Sequence, residues 1–151
     1  MAIRLENEFQ EFLKSLNRNS VRYLLIGGYA VILNGHVRNT NDLDICVSSE
    51  PDNAERILLA LREFGFDTPT LDSSLFTRPR SVVRMGFPPL KIEILNYLEG
   101  SDFEEAYSKR KLVKLDDLEI SLINIDDLIL NKKAVGRLQD LADVEQLERL
   151  R

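Results

Sequence analysis

Residues 23–47 read YLLIGGYAVILNGHVRNTNDLDICV, in which two apolar runs surround a glycine pair and lead to an Asp-x-Asp sequence. The run from Tyr23 to Ile26 stops at Gly27-Gly28, which is typical of a buried strand that enters a tight turn. The apolar residues that follow predict a short helix that ends near Gly35. Residues 42–47 alternate at their start as a strand does. The segment therefore predicts a strand, a Gly-Gly turn, a short helix and a second strand.

Two carboxylates mark the start of the second predicted strand. Because side chains alternate along a strand, Asp42 and Asp44 project from one face, while Leu43 and Ile45 project from the other. Carboxylates held this close repel one another unless a cation or a proton lies between them, and such oxygen ligands suit Mg²⁺. The plainer interpretation is a solvated pair on an exposed strand face.

A third carboxylate, Glu93, lies in the alternating stretch Lys91-Ile92-Glu93-Ile94. If this strand neighbours the first, three carboxylates converge on one surface and could hold two metal ions for an in-line phosphoryl displacement. The alternative is that Glu93 is a surface partner of Lys91 or of a nearby arginine.

The glycine pair could face a polyphosphate, because Gly27 and Gly28 expose backbone N–H groups without side chains in the way. Its plainer interpretation is a strand-to-helix turn. Neither a Walker lysine motif nor a GxGxxG sequence is present, and the lone His36 cannot supply a multi-histidine zinc site.

The remaining patterns predict an α+β (mixed α/β) domain around a small mixed sheet with flanking helices. They predict an amphipathic helix from Leu5 to Leu16 and a helix through residues 51–64, with Ser49 at its N-cap and Gly65 at its end. They also predict strands at 81–87 and 90–95 around Pro88-Pro89, a short acidic helix at 103–107, a hairpin at 112–122, and a helical segment at 126–150 divided near Gly136. In that last segment the positions expected to face a core are Leu138, Leu141, Val144, Leu147 and Leu150.

Composition bounds the class of protein. The sequence has 151 residues, 44% of them hydrophobic and 30% charged, one cysteine and a formal net charge of -5, which predicts a single domain over residues 1–151. The acidic balance argues against broad duplex nucleic-acid or membrane-surface binding. We expect a cytoplasmic protein, since no apolar run approaches a membrane span and the N-terminus does not read as a secretory signal.

Positive charge is nevertheless concentrated in two stretches. Residues 12–41 and 73–92 contain lysines and arginines but no acid, and they lead into the Asp pair and Glu93 respectively. A metal-bound triphosphate would need positive charge at these places.

The joint pattern resembles the polymerase-β-like nucleotidyltransferase superfamily. Its elements are the Gly-Gly turn in residues 25–30, then Gly35, Arg38, Thr40 and the Asp-x-Asp of residues 42–45. The pattern looks closest to small bacterial minimal and abortive-infection-type members. The C-terminal run also looks like theirs, with the series Lys132, Arg137, Asp140 and Asp143.

The resemblance implies transfer of a nucleoside monophosphate from an NTP to an acceptor hydroxyl. It implies that Asp42 and Asp44 ligate two Mg²⁺ ions and that Glu93 completes the catalytic site and helps to deprotonate or orient the acceptor. In the commonest pattern that third carboxylate is Asp.

The resemblance also implies a nucleotide-binding set, which comprises Gly27, Gly28, Arg38, Thr40 and Lys132. The glycines would face the triphosphate, and Arg38 and Lys132 would neutralise charge on phosphate or leaving group. Arg38 and Arg137 have an alternative role as salt-bridge partners of nearby aspartates, which we favour for Arg137.

Three functional hypotheses follow. The first is a Mg²⁺-dependent nucleotidyltransferase that acts on a small molecule, a protein or an RNA end. The second is a non-catalytic or antitoxin-type partner of a toxin, prompted by the little sequence that remains for an acceptor-binding domain. The third is an antibiotic nucleotidyltransferase, which would need an acidic pocket for a cationic drug.

Overall fold

The computed structural model describes residues 5–87 and 90–151. Within these two ranges the chain forms seven helices and six strands. In chain order they are α1 (Asn7–Arg18), β1 (Tyr23–Ile26), α2 (Gly27–Leu33), β2 (Asp42–Val47), α3 (Pro51–Phe64), α4 (Ser74–Thr77), β3 (Val82–Phe87), β4 (Leu90–Leu95), α5 (Phe103–Ser108), β5 (Lys111–Leu115), β6 (Leu118–Leu122), α6 (Ile125–Val135) and α7 (Leu138–Leu150).

The strands form one mixed sheet in the order β3-β4-β2-β1-β6-β5. The pairs β1/β2, β3/β4 and β5/β6 are antiparallel, whereas β2/β4 and β1/β6 are parallel. The mixed sheet with its flanking helices confirms the predicted α+β class. Central strand β1 is buried along its whole length, as its uninterrupted apolar sequence predicts.

The apolar stripe predicted on the first helix faces the core. Phe9, Phe12, Leu13 and Leu16 are at most 1% exposed, and α1 packs on α3 and β6. Burial of these side chains contributes about 1.5–3 kcal/mol each relative to exposure.

Three of the predicted boundaries depend on backbone conformations with positive φ. Gly65 ends α3 at φ 114°, and Gly136 ends α6 at φ 73°, which confirms the predicted break between the last two helices. The hairpin turn between β5 and β6 has Asp116 at φ 55°. Asp tolerates this left-handed region, and so the turn forms without glycine.

Some local predictions need correction. Glu50, not Ser49, is the N-cap of α3, and its side chain makes no capping hydrogen bond. Helix α4 lacks a predicted counterpart because a four-residue helix has no apolar period to detect. The break at Pro88-Pro89 lies outside the described residues.

The prediction for the last helix was wrong in its phase. Of the five apolar positions expected to face a core, only Val144 and Leu147 are buried, and the side chains of Leu138, Leu141 and Leu150 are 89%, 47% and 50% exposed. The buried side of α7 instead comprises Asp140, Asp143, Val144 and Leu147. This spacing is also helical, and the ion pairs of the two carboxylates with Lys132 and with neighbouring arginines determine which side faces inward.

Among the described helices, none combines the length and apolar character needed to cross a membrane.

Candidate active site

The predicted Gly-Gly turn is the first turn of α2, which follows β1 directly and lies against β2. Gly27 begins α2 with φ 71°, and a Cβ at this position would overlap the Asp44 Oδ2 atom. A Cβ on Gly28 would lie 2.5 Å from the Thr40 hydroxyl oxygen and 3.3 Å from Arg38 Nη2. Both glycines are therefore required for the close approach of the turn to the strand and loop that carry the polar residues.

Strand register brings the acidic residues together. Asp44 is paired with Ile26 on antiparallel β1 and with Glu93 on parallel β4. Asp42 is paired in the same register with Lys91. The condition stated above for the two alternating strands is thus met, since β2 and β4 are neighbours and their carboxylates share one face.

A cleft of about 560 Å³ opens over this face. Every residue of the predicted catalytic and nucleotide-binding sets lines it. These residues are Gly27, Gly28, Arg38, Thr40, Asp42, Asp44, Glu93 and Lys132. The sequence positions come from β1–α2, the loop before β2, β2, β4 and α6, so the fold concentrates chemically distinct groups at one place.

Among the acids of the cleft, Asp44 has the carboxyl pKa that is shifted furthest from its ordinary value. Burial raises the pKa of its carboxyl to about 7, and the negative charges of Glu93 and Asp42 act in the same direction. The positive charges of Lys132 and Arg137 oppose the shift but do not cancel it. A cation bound beside Asp44 would therefore relieve an unfavourable accumulation of negative charge.

Glu93 is tied to the neighbouring strand. The Arg84 Nε atom donates to Glu93 Oε2 at 2.9 Å. Within residues 5–87 and 90–151, no three acidic, histidine or cysteine side chains are gathered closely enough to hold a metal ion by themselves. The three carboxylates thus share a cleft, but they do not form a preassembled protein cage.

The cations of the cleft are held by two buried carboxylates of α7. Arg38 donates from Nε and Nη2 to the two oxygens of Asp143 at 2.8 and 2.9 Å. Lys132 Nζ, on a residue only 4% exposed, lies 2.9 Å from Asp140 Oδ1 and 3.0 Å from Asp143 Oδ2. Arg137 Nε donates to Asp140 Oδ2 at 2.8 Å. Arg38 and Arg137 thus form the alternative salt bridges considered above.

These contacts keep both aspartates ionised. Burial alone raises the pKa of each carboxyl, but hydrogen bonds from Arg137 and Lys132 lower the pKa of Asp140 below its ordinary 3.8. Hydrogen bonds from Arg38 and Lys132 do the same for Asp143. The network therefore joins α6, α7 and the loop before β2 through fixed opposite charges.

A family model described as "Nucleotidyltransferase of unknown function (DUF6036)" matches residues 3–148. The chain belongs to this nucleotidyltransferase family. The match covers the glycine turn, both carboxylate strands and the α6–α7 network.

Solved structures show the same nucleotidyltransferase fold. The lincomycin-bound structure of the lincosamide antibiotic adenylyltransferase LnuA is 16% identical, with a TM-score of 0.64 over 97% of this chain and 98% of that one. An antigenic nucleotidyltransferase-like protein from Paracoccidioides brasiliensis is 14% identical, with a TM-score of 0.55 over 93% of this chain and 73% of that one. No curated protein sequence matches significantly.

The cleft of this nucleotidyltransferase also contains residues that sequence reasoning did not assign to it. Tyr97 and Glu99, after β4, line it, as do Asn131 and Gln139. No motif marks these positions, because their placement depends on how the loop after β4 and the two C-terminal helices fold over the sheet. The Lys-Arg-Asp-Asp series did indicate the region that carries the ion network.

Proposed function

We propose that this protein is a Mg²⁺-dependent enzyme that transfers a nucleoside monophosphate from an NTP to an acceptor hydroxyl. The observation that carries the proposal is the placement of Asp42 and Asp44 beside the Gly27-Gly28 turn, with Glu93 in register with Asp44. Membership of a nucleotidyltransferase family supplies the reaction class.

The donor set fits Mg²⁺. Asp42 and Asp44 supply oxygen ligands, and burial together with the neighbouring carboxylates of Glu93 and Asp42 raises the pKa of Asp44. Mg²⁺ is commonly bound by one or two carboxylates together with substrate phosphates, so a preassembled cage of three protein ligands is not required. Asp42 and Asp44 would hold two ions with Glu93 at the second. When bound, Mg²⁺ would neutralise charge on the triphosphate and on the attacking oxygen.

The residues of the cleft have separate roles in this proposal. Gly27 and Gly28 leave room for the triphosphate against the backbone, and the Thr40 hydroxyl lies beside them. Arg38 uses three of its five N–H groups on Asp143 and the Asn39 carbonyl, and the other two can donate to phosphate oxygens. Buried Lys132 holds the aspartates that position the arginines.

Chemically, the acceptor oxygen attacks the α-phosphorus of the NTP, the bond from that phosphorus to the bridging oxygen breaks, and pyrophosphate leaves. In this proposal Glu93 would accept the hydroxyl proton, which is supported by its position next to Asp44 in the strand register.

The test is transfer of label from each α-phosphate-labelled NTP to molecules of a cell extract. We expect Mg²⁺-dependent release of pyrophosphate and a labelled acceptor. For Asp44→Asn we expect the rate to fall by a factor of roughly 100 or more. Asp126→Asn, which changes an exposed aspartate outside the cleft, is the matched control. Wild-type rates from a folded Asp42→Asn/Asp44→Asn double variant would refute the proposal.

The two other hypotheses make different predictions in the same system. An antitoxin-type role predicts that the double variant still protects cells from a partner toxin. An antibiotic nucleotidyltransferase predicts that a drug from a panel takes up the label in place of a cell constituent.

A further inference from the structure

The sheet order separates two sides of the carboxylate cluster. The glycine turn follows β1, on one side of β2, whereas β4 and then β3 lie on the other side. In phosphoryl transfer the attacking and leaving oxygens are roughly in line. If the triphosphate lies on the glycine turn, the acceptor must therefore approach over β4 and β3.

The first side chain beyond Glu93 on this path is Arg84. The two residues are register partners on β4 and β3, so their side chains share the cleft face. Arg84 has a side chain that is 71% exposed and contacts Glu93 through Nε. Its terminal nitrogens can consequently donate hydrogen bonds to a second anion while Nε keeps its contact with Glu93.

A second arginine contacts two residues of the cleft. The Arg80 guanidinium lies 4.2 Å from the centre of the Tyr97 ring and also pairs with Glu99. Both partners line the cleft. Arg80 has φ 51°, a left-handed conformation that costs a non-glycine residue energy and is kept only where surrounding contacts impose it.

Those contacts come from Asn96. Its Oδ1 accepts a hydrogen bond from Ser81 N at 2.8 Å, and its Nδ2 donates to the Arg78 carbonyl oxygen at 2.6 Å. The loop that carries Arg78 and Arg80 is thereby attached to the turn after β4. These contacts hold the segment that carries two arginines near the proposed acceptor path. A loop that served only to contact solvent would not need an energetically unfavourable backbone conformation at Arg80.

The exposed residues Arg78, Arg80, Arg84 and Lys91 are here called the basic flank. No acid occurs between positions 73 and 92, but each member of the flank has a carboxylate neighbour outside that stretch. These neighbours are Asp72 for Arg78, Glu99 for Arg80, Glu93 for Arg84, and the register partner Asp42 for Lys91. We propose that the basic flank binds a phosphate group of the acceptor, so that the acceptor is a hydroxyl compound that carries phosphate. Guanidinium groups suit phosphate because they donate in a planar fork.

The inference rests on the proposed nucleotidyl transfer, and it adds the chemical class of the acceptor. Two sources share this chemistry, a phosphorylated small molecule and an RNA strand. A cationic acceptor would be repelled by the guanidinium groups of the flank, and an uncharged one would make no use of the terminal nitrogens of Arg84.

The experiment uses cell extract divided into three portions, which are untreated, treated with phosphatase, or treated with ribonuclease, with each enzyme removed before NTP is added. The full-length protein is then supplied with Mg²⁺ and α-phosphate-labelled NTP. Loss of labelling after phosphatase alone identifies a phosphorylated small molecule, and loss after ribonuclease identifies RNA. Labelling that survives both treatments overturns the inference.

Variants test the residue assignment. We expect Arg84→Gln to raise the KM for the extract-derived acceptor roughly 10-fold or more and to leave the KM for NTP within about twofold. Arg56→Gln, which changes a partly exposed arginine of α3 paired with Asp52, should match the wild type in both constants. An unchanged acceptor KM in a folded Arg84→Gln protein also overturns the inference.

Binding of a fluorescent NTP in the presence of Mg²⁺ distinguishes failure of the proposed function from failure of the inference about the acceptor. Absence of binding and of pyrophosphate release would refute the proposed function itself. Normal NTP binding with no phosphate-bearing acceptor labelled would refute only the inference about the basic flank.

Discussion

Replacement of Asp143 by asparagine should strongly destabilise the protein. The Asp143 carboxylate, 1% exposed, accepts hydrogen bonds from Arg38 at 2.8 and 2.9 Å and lies 3.0 Å from Lys132 Nζ. Asparagine preserves the shape, but it removes the negative charge and turns an NH₂ group toward cationic donors. Arg38 would then lose its carboxylate partner, and Lys132 would keep only Asp140, which already binds Arg137.

Removal of one partner from a buried ion pair costs about 3–5 kcal/mol, because the remaining charge is buried without compensation. For a chain of this size, that corresponds to a fall in Tm of roughly 6–20 °C. Urea and thermal unfolding at pH 7 measure the loss. Asp126→Asn is the control, since it breaks an exposed pair with Arg151 and should change stability by at most about 1 kcal/mol.

The pH dependence of the stability difference tests whether loss of the Asp143 charge is its cause. Hydrogen bonds from Arg38 and Lys132 outweigh burial and lower the native pKa of Asp143. Its charge therefore stabilises the fold above the unfolded pKa near 3.8, and this contribution disappears as pH falls through the lower native pKa. The two proteins should converge in acid. A loss of less than about 1 kcal/mol at pH 7, or one that persists unchanged in acid, would refute the reasoning.

Three further outcomes follow from the structure. Burial and neighbouring acids raise the pKa of Asp44 to about 7, so that ionisation of this carboxyl opposes folding. In the absence of metal, Asp44→Asn should therefore resist urea better than the wild type at pH 8, and the difference should vanish below about pH 4. Equal stability of the two proteins at pH 8 would contradict this. Gly28→Ala should lose most nucleotidyl transfer in the label assay, because its Cβ would lie 2.5 Å from a threonine hydroxyl. Gly65→Ala, with φ 114° and open space around it, should cost only about 1–2 kcal/mol and keep transfer. Leu147→Ala should lower the free energy of unfolding in urea by about 2–5 kcal/mol. Leu138→Ser, at a position 89% exposed, should change it by no more than about 0.5 kcal/mol. Similar losses for both variants would show that the side of α7 assigned to the core is incorrect.

Local sequence patterns were sufficient wherever one face of an element had to be apolar. The run from Tyr23 to Ile26, the glycine pair and the alternation after Asp42 predicted the β1–α2–β2 unit within a residue or two. Alternation also predicted that the acidic side chains of β2 share a face, since side chains on a strand have a period of two. These features depend on neighbours in the chain, which a sequence displays directly.

Helix α7 shows where this reasoning fails. Its leucines and its aspartates each follow a helical period, and an apolar pattern alone favours the leucines as the buried set. Lys132 on α6 and Arg38 before β2 supply the opposite charges that allow Asp140 and Asp143 to be buried beside Leu147, while the other leucines of the helix face outward. Those partners are distant in the chain, so no local period could reveal them.

The sequence by itself determined the strand, glycine turn and paired carboxylates, and thereby the family resemblance and the residues of the predicted site. Tertiary structure alone decided that β4 lies beside β2, that Arg84 contacts Glu93, and that the cations of the cleft are held by buried aspartates. The physical reason is that a charge has no preferred partner in the chain itself. Its energy depends on burial and on the opposite charges brought near it by folding.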